Sequence, residues 1–126
     1  MENYNVEINK KYTVTPQDID DIMATALEGG INCWCRKAEV VGEYLGEYAS
    51  DQISRGGSLI LYDAESSDHW ELNLDKLLCG IQKAIEDNWF DDYDWYVDGK
   101  LDTTEIDGDV ADVIVQLALF DDVVFG

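Results

Sequence analysis

A run of acidic residues interspersed with aromatic side chains, residues 86–112, most constrains how this chain folds. The run contains eleven carboxylates and a single base, Lys100. Its aromatic residues are Trp89, Phe90, Tyr93, Trp95 and Tyr96. An acidic run without aromatics is typical of a solvated, disordered tail. Because this run carries enough apolar surface to fold, we expect its charge to lie on a fixed surface, as in a binding protein.

The net charge restricts the classes of partner. The formal charge is -20 over 126 residues, of which 46% are hydrophobic, so we expect one globular domain over residues 1–126. Self-repulsion of this size lowers stability, which indicates that the charge has a use. It argues against direct binding to nucleic acid, which needs a basic surface, and against anionic membranes. It favours a basic protein surface or a cation.

The sequence carries no sign of export and no strong metal motif. No apolar run approaches the roughly 18 residues of a membrane span, and the N-terminal residues lack the apolar core of a signal peptide. Three cysteines, Cys33, Cys35 and Cys79, cannot all pair within one chain, so we expect free thiols in the cytoplasm. With His69 they suggest a zinc site, but structural zinc favours paired C-x2-C spacings. We therefore expect no cofactor.

Local patterns predict an α+β fold, with a small antiparallel sheet packed against three helices. A strand or hairpin is expected in residues 4–14, and a hairpin pairs residues 58–62 with 69–72. Asp98-Gly99 predicts a tight turn within the acidic run. The sheet is therefore assembled from short, locally paired strands.

Capping residues mark the three helices. The first helix begins with Thr15 as the cap and Pro16 as the first helical residue, and Gly29-Gly30 ends it. Asn73 precedes the second helix. The third starts near residues 107–109, and its apolar surface is wide enough for a central position or for a homodimer interface. We expect this C-terminal helix to be the most buried.

The remaining segments have weaker local patterns. Residues 31–41 are compatible with a strand, and 49–57 with a short helix. Residues 42–48 repeat Gly-Glu-Tyr at a spacing that suits a helix, although two interior glycines would cost that helix about 2 kcal/mol. A last short strand is expected in residues 121–126.

Part of the acidic run also overlays a calcium-binding loop of the EF-hand type. The ligands would be Asp94, Asp98, Asp102 and Glu105, with Gly99 at the turn. Tyr96 occupies a position where a further ligand is expected, and the sequence contains no second EF-hand loop to pair with this one. The alternative is an ordinary Asp-Gly hairpin among acidic residues.

Nothing in the sequence forms a convincing catalytic set. His69 is the single histidine, and no serine lies in a nucleophile-elbow motif. We therefore expect no enzymatic activity. A further alternative is a small-molecule binder that sequesters a defence signal, with a local pocket formed by Arg36, Lys37 and Arg55.

As a whole, the chain resembles a group of small acidic proteins of gut Firmicutes and their phages. The residues that carry the resemblance are TPQDIDDIMATALEGGIN (15–32), AEVVGEYLGEYASDQISRGGSLILYD (38–63) and VADVIVQLALFDDVVFG (110–126). The resemblance implies a bacterial cytoplasmic setting and brings no site residues with it. In composition alone, the chain is similar to anti-CRISPR and anti-restriction proteins. Many of those occupy a nucleic-acid groove by imitating phosphate charge.

These observations favour a non-enzymatic inhibitor that places carboxylates in the basic channel of a nucleic-acid-binding defence protein. Trp95 and Tyr96 would act as stacking anchors. The expected partner-binding residues are Asp91, Asp92, Asp94, Trp95, Tyr96, Asp98, Asp102, Glu105 and Asp109.

Overall fold

A computed structural model of the chain describes residues 3–7, 11–90 and 94–126. Within these residues it forms three α-helices and seven short strands, which confirms the α+β fold. The helices are α1 (Pro16–Thr25), α2 (Leu74–Glu86) and α3 (Gly108–Phe120). The strands are β1 (Tyr4–Glu7), β2 (Lys11–Val14), β3 (Cys35–Val40), β4 (Leu59–Asp63), β5 (His69–Leu72), β6 (Tyr96–Val97) and β7 (Lys100–Leu101).

The strands form two sheets, whereas the sequence suggested one. One sheet has the order β1-β2-β7-β6 and the other has the order β3-β4-β5. The hairpin β6–β7 joins the N-terminal hairpin through a parallel contact, in which Thr13 pairs with Lys100. The amide of Thr13 donates to the carbonyl of Gly99 at 2.7 Å. Local patterns predict each hairpin, but they do not tell which hairpins come together.

The helices begin where the capping residues predicted. Thr15 and Asp18 form a reciprocal capping box at the start of α1. The side chain of Asn73 accepts from the amide of Lys76, and that of Asp107 accepts from the amide of Val110. After α1 the chain continues into a π-helical turn over Ala26–Gly30. None of the helices in the described part of the chain is long and apolar enough to cross a membrane.

Helix α3 lies at the centre of the packing and contributes more buried residues than either other helix, as predicted. Its buried residues are Val110, Ala111, Val113, Ile114, Val115, Gln116 and Leu117. Its closest neighbour is α2, where Gly80 lets the two backbones approach. A Cβ atom at Gly80 would lie 2.4 Å from the carbonyl oxygen of Ile114. The two helices therefore pack backbone to backbone at this position.

The expected C-terminal strand is wrong, because residues 121–126 are irregular. Asp121 ends α3 in the left-handed conformation. The fully buried side chain of Gln116 then binds the tail. Its Oε1 accepts from the amides of Val124 and Phe125, both at 2.8 Å, and its Nε2 donates to the carbonyl of Phe125 at 3.1 Å. The tail is thus held by a side chain rather than by a sheet.

Candidate binding surface

The β6–β7 hairpin and the residues on either side of it, 94–109 (the hairpin region), display carboxylates expected of the acidic run. Asp98 and Gly99 both have positive φ, 54° and 77°, as a two-residue hairpin turn requires. The expected site residues that are exposed are Asp94, Asp98, Asp102, Glu105 and Asp109. Asp91 and Asp92 lie outside the described residues. The structure therefore keeps five of the expected carboxylates at the surface.

Trp95 was expected to be a surface anchor, and this expectation is wrong. Its side chain is 0% exposed, and its Nε1 donates to the carbonyl of Trp89 at 3.2 Å. Tyr96 is half-buried and packs edge-on against Trp95 and Tyr12, with ring centroids 4.7 and 5.8 Å apart. Large aromatic rings gain most when they leave water, so Trp95 stabilises the hairpin from beneath.

The described carboxylates are not gathered into a calcium loop. Asp98-Gly99 forms the turn of the hairpin, and Glu105 follows in a 3-10 turn over Thr103–Glu105. Asp102 caps that turn, since its Oδ1 accepts from the amide and the hydroxyl of Thr104 at 3.1 and 2.5 Å. Within the described residues, no three His, Cys, Asp or Glu side chains lie close enough to hold a metal ion.

One hydrogen bond connects this turn to α1. The hydroxyl of Thr103 donates to Oδ2 of Asp21 at 2.8 Å, across 82 positions of sequence. The other oxygen of Asp21 accepts from Nε2 of the Gln17 side chain at 2.8 Å. The acidic hairpin region therefore adjoins the exposed side of α1, which itself carries carboxylates.

An acidic groove lies between α1 and the chain around residues 48–51, with a volume of about 600 Å³. Its lining contains four carboxylates and no base among the described residues. The lining residues are Gln17, Asp20, Asp21, Ala24, Leu27, Glu28, Tyr48, Ala49, Ser50 and Asp51. The sequence did not predict this groove. Its only sequence signal is the spacing of acidic residues along one face of α1.

The segment that borders the groove, residues 41–48 (the 41–48 loop), is not helical. Gly42, the first residue of the repeat, takes a φ of 74°, and residues 41–48 form bends. The side chains of Tyr44 and Tyr48 are 61% and 62% exposed, and those of Val41 and Leu45 are also exposed. The loop therefore presents a small apolar surface beside the acidic groove.

Bases that neutralise carboxylates lie away from this groove. Lys37 pairs with Glu39 at 3.1 Å, and Lys83 pairs with Asp121 at 2.7 Å. The hydrogen bonds that Glu39 accepts from Lys37 and Tyr62 lower the pKa of its carboxyl. None of these residues lines the groove, so its charge is not compensated by these pairs.

The three bases proposed for a small-molecule pocket do not converge. Arg36 donates to the carbonyl of Asp63 at 3.1 Å and lies over the ring of Tyr62. Arg36 and Lys37 line one depression of about 280 Å³, where Lys37 is engaged by Glu39. Arg55 lines a separate depression with Tyr4, Leu45, Ser54 and Gly56. The structure therefore brings two of the three bases to one depression and places the third elsewhere.

The cysteines and His69 are also dispersed. Cys35 is buried, whereas Cys33 and Cys79 are exposed, and all three are free thiols. Cys33 and Cys35 line two different surface depressions. His69 is exposed and its ring lies 5.6 Å from that of Tyr62. No zinc-like grouping arises among these side chains.

No protein-family model matches this chain, and neither a curated protein nor a solved structure matches it significantly.

Proposed function

We propose that this chain is a non-enzymatic acidic binding protein whose carboxylates replace phosphates on the basic surface of a nucleic-acid-binding protein. The observation that carries the proposal is the run of exposed carboxylates on the hairpin region, which adjoins the acidic groove through the bond between Thr103 and Asp21. A basic channel that binds nucleic acid through phosphates would accept such a surface.

The fixed backbone supports this proposal. Asp98 lies in a tight turn, and Glu105 lies in a 3-10 turn that Asp102 caps. Carboxylates held in place lose less freedom on binding than those of a flexible tail. With a net charge of -20, long-range attraction also speeds the encounter with a cationic partner.

The resemblance to small acidic phage and bacterial proteins makes a host defence protein the preferred target. By occupying its nucleic-acid channel, the chain would exclude the substrate without any chemical step. This accounts for a strongly charged surface in a chain whose described residues include no metal site.

The test is a pull-down from bacterial lysate with a matched pair of charge-neutralised variants. The site variant is Asp94→Asn/Asp98→Asn/Glu105→Gln. The control variant neutralises three exposed carboxylates around β5, Glu65→Gln/Asp68→Asn/Glu71→Gln, and so changes the net charge by the same amount. We expect the wild type and the control to retain a basic nucleic-acid-binding protein that salt or duplex DNA elutes.

The site variant should lose this protein at salt concentrations that the control withstands. Equal loss from both variants would mean that only the total charge matters, and the proposal would then be wrong. Retention that neither salt nor duplex DNA disturbs would also overturn it.

A further inference from the structure

The 41–48 loop concentrates the exposed apolar surface of the described chain. Six large hydrophobic side chains are exposed in the described part of the chain, and four of them belong to this loop. The four are Val41, Tyr44, Leu45 and Tyr48, and the other two are Val97 and Val124. Exposed aromatic residues grouped in this way are typical of a protein-binding surface.

A buried amide holds the backbone of the loop in place. The side chain of Gln52 is 1% exposed. Its Oε1 accepts from the amide of Leu45 at 3.0 Å, and its Nε2 donates to the carbonyl of Glu43 at 3.1 Å. Next to it, Oδ2 of Asp51 accepts from the amides of Glu47 and Tyr48, both at 3.2 Å. The exposed rings therefore project from an ordered backbone, which lowers the entropic cost of binding.

The charge beside the loop is mainly negative on the side of the groove, where it favours a cationic occupant, while Arg55 lies against the loop at Gly46 and Leu45. Tyr48 and Asp51 line the acidic groove, together with Asp20, Asp21 and Glu28 of the preceding helical region. A second copy of this chain is a poor occupant, because each copy carries a charge of -20 and the loop itself contains Glu43 and Glu47. An arginine side chain suits both the carboxylates of the groove and the exposed tyrosine rings, since its guanidinium pairs with carboxylates and stacks on aromatic rings.

We propose that the 41–48 loop and the acidic groove form the docking site for an arginine-bearing segment of a partner protein. Tyr44, Leu45 and Tyr48 pack against the apolar parts of that segment. The carboxylates of the groove receive the guanidinium group. This inference rests on the proposed function and deepens it, because it gives the basic partner a second, apolar point of attachment outside the acidic hairpin.

The first test uses a defined probe and needs no identified partner. The intact ¹⁵N-labelled protein is titrated with N-acetyl-L-arginine amide and, separately, with its lysine analogue, and amide shifts are recorded. We expect the arginine probe to shift the amides of residues 20–28 and 48–51 more than those of residues 65–71, and more than the lysine probe does. Equal shifts over all acidic segments, or equal effects of the two probes, would overturn the proposal.

The second test uses the protein retained from lysate. Tyr44→Ala/Tyr48→Ala is compared with Val97→Ala/Val124→Ala, which truncates exposed apolar residues elsewhere. Because all four side chains are exposed, both variants should fold. We expect the tyrosine variant to bind the retained protein about tenfold or more weakly, since aromatic residues dominate interface energies, whereas the valine variant binds as the wild type does.

The two variant sets separate the possible failures. If the hairpin variant Asp94→Asn/Asp98→Asn/Glu105→Gln loses the partner and the tyrosine variant keeps it, the proposed function stands and this inference is wrong. If a photo-crosslinker at position 44 captures a second copy of the chain, the loop is a dimer contact and the inference is again wrong. A captured partner peptide supports the inference when replacing its arginine with lysine weakens binding, and unchanged binding of the lysine form overturns it.

Discussion

The indole Nε1 of Trp34 donates to Oδ1 of Asp112 at 2.6 Å, across 78 positions of sequence. The same carboxylate oxygen accepts from Nε2 of Gln116 at 2.9 Å. The ring of Trp34 also stacks on that of Phe125, with centroids 5.1 Å apart and planes within 3°. The turn before β3, helix α3 and the C-terminal tail are therefore joined by one connected set of side chains.

Replacing Gln116 with alanine should release the tail. The amides of Val124 and Phe125 lose their common acceptor, and the free energy of unfolding should fall by about 1–3 kcal/mol. Urea denaturation measures the loss, and hydrogen exchange should show faster exchange at these two amides. Gln82→Ala, on the partly exposed side of α2, is the matched control. Unchanged exchange at both amides would contradict the role given to Gln116.

Gly80→Ala should destabilise the protein although alanine favours helices. The added methyl group would meet the backbone of α3 at Ile114, which has no flexible end that can move aside. Overpacking of this kind costs about 1–3 kcal/mol. Thermal unfolding followed by circular dichroism would detect it. Cys79→Ala, at the exposed neighbouring position, should leave the melting temperature nearly unchanged.

Trp95→Ala should lower the free energy of unfolding. Truncating a fully buried aromatic side chain costs about 3–5 kcal/mol. Equilibrium unfolding in urea is the measurement, with Val97→Ala as the exposed control on the same hairpin. A Trp95→Ala protein as stable as the wild type would show that the ring is not part of the core.

The cysteines should react at different rates in the native protein. Burial raises the pKa of the Cys35 thiol, so its reactive thiolate forms only at higher pH. Cys33 and Cys79 are exposed. Iodoacetamide labelling followed by mass spectrometry should therefore modify Cys35 last at pH 8. The labelling rate of Cys35 should increase further as the pH is raised above 8, because more of its thiol is then ionised. In urea the three rates should converge, and equal rates without urea would contradict the burial of Cys35.

The sequence predicts those elements whose signals are local. Thr15 and Asn73 cap helices through groups three residues away, and Asp98-Gly99 turns a hairpin between adjacent strands. Such interactions leave a pattern within a few residues. For this reason the helix starts, the hairpin of β4 and β5 and the tight turn were predicted correctly, and residues 4–14 form the hairpin that was one of their two expected structures.

What the sequence did not predict depends on distant contacts. Gln52 and Gln116 are polar residues whose burial has no local pattern, because their partners are backbone groups of irregular segments. The inward position of Trp95 depends on how a two-residue strand meets the rest of the sheet. The acidic groove needs α1 and residues 48–51 to come together, and no spacing within either segment predicts that approach.

The hydrogen bonds between Gln52 and the 41–48 loop end on backbone atoms of the loop. The outward side chains can therefore be exchanged during evolution while the course of the backbone stays the same. If the loop docks a partner as proposed, a lineage that faces a changing target could alter Tyr44, Leu45 and Tyr48 at little risk to folding. On that proposal, selection for target range would act on the side chains of the loop, and selection for folding would act on its backbone and on Gln52.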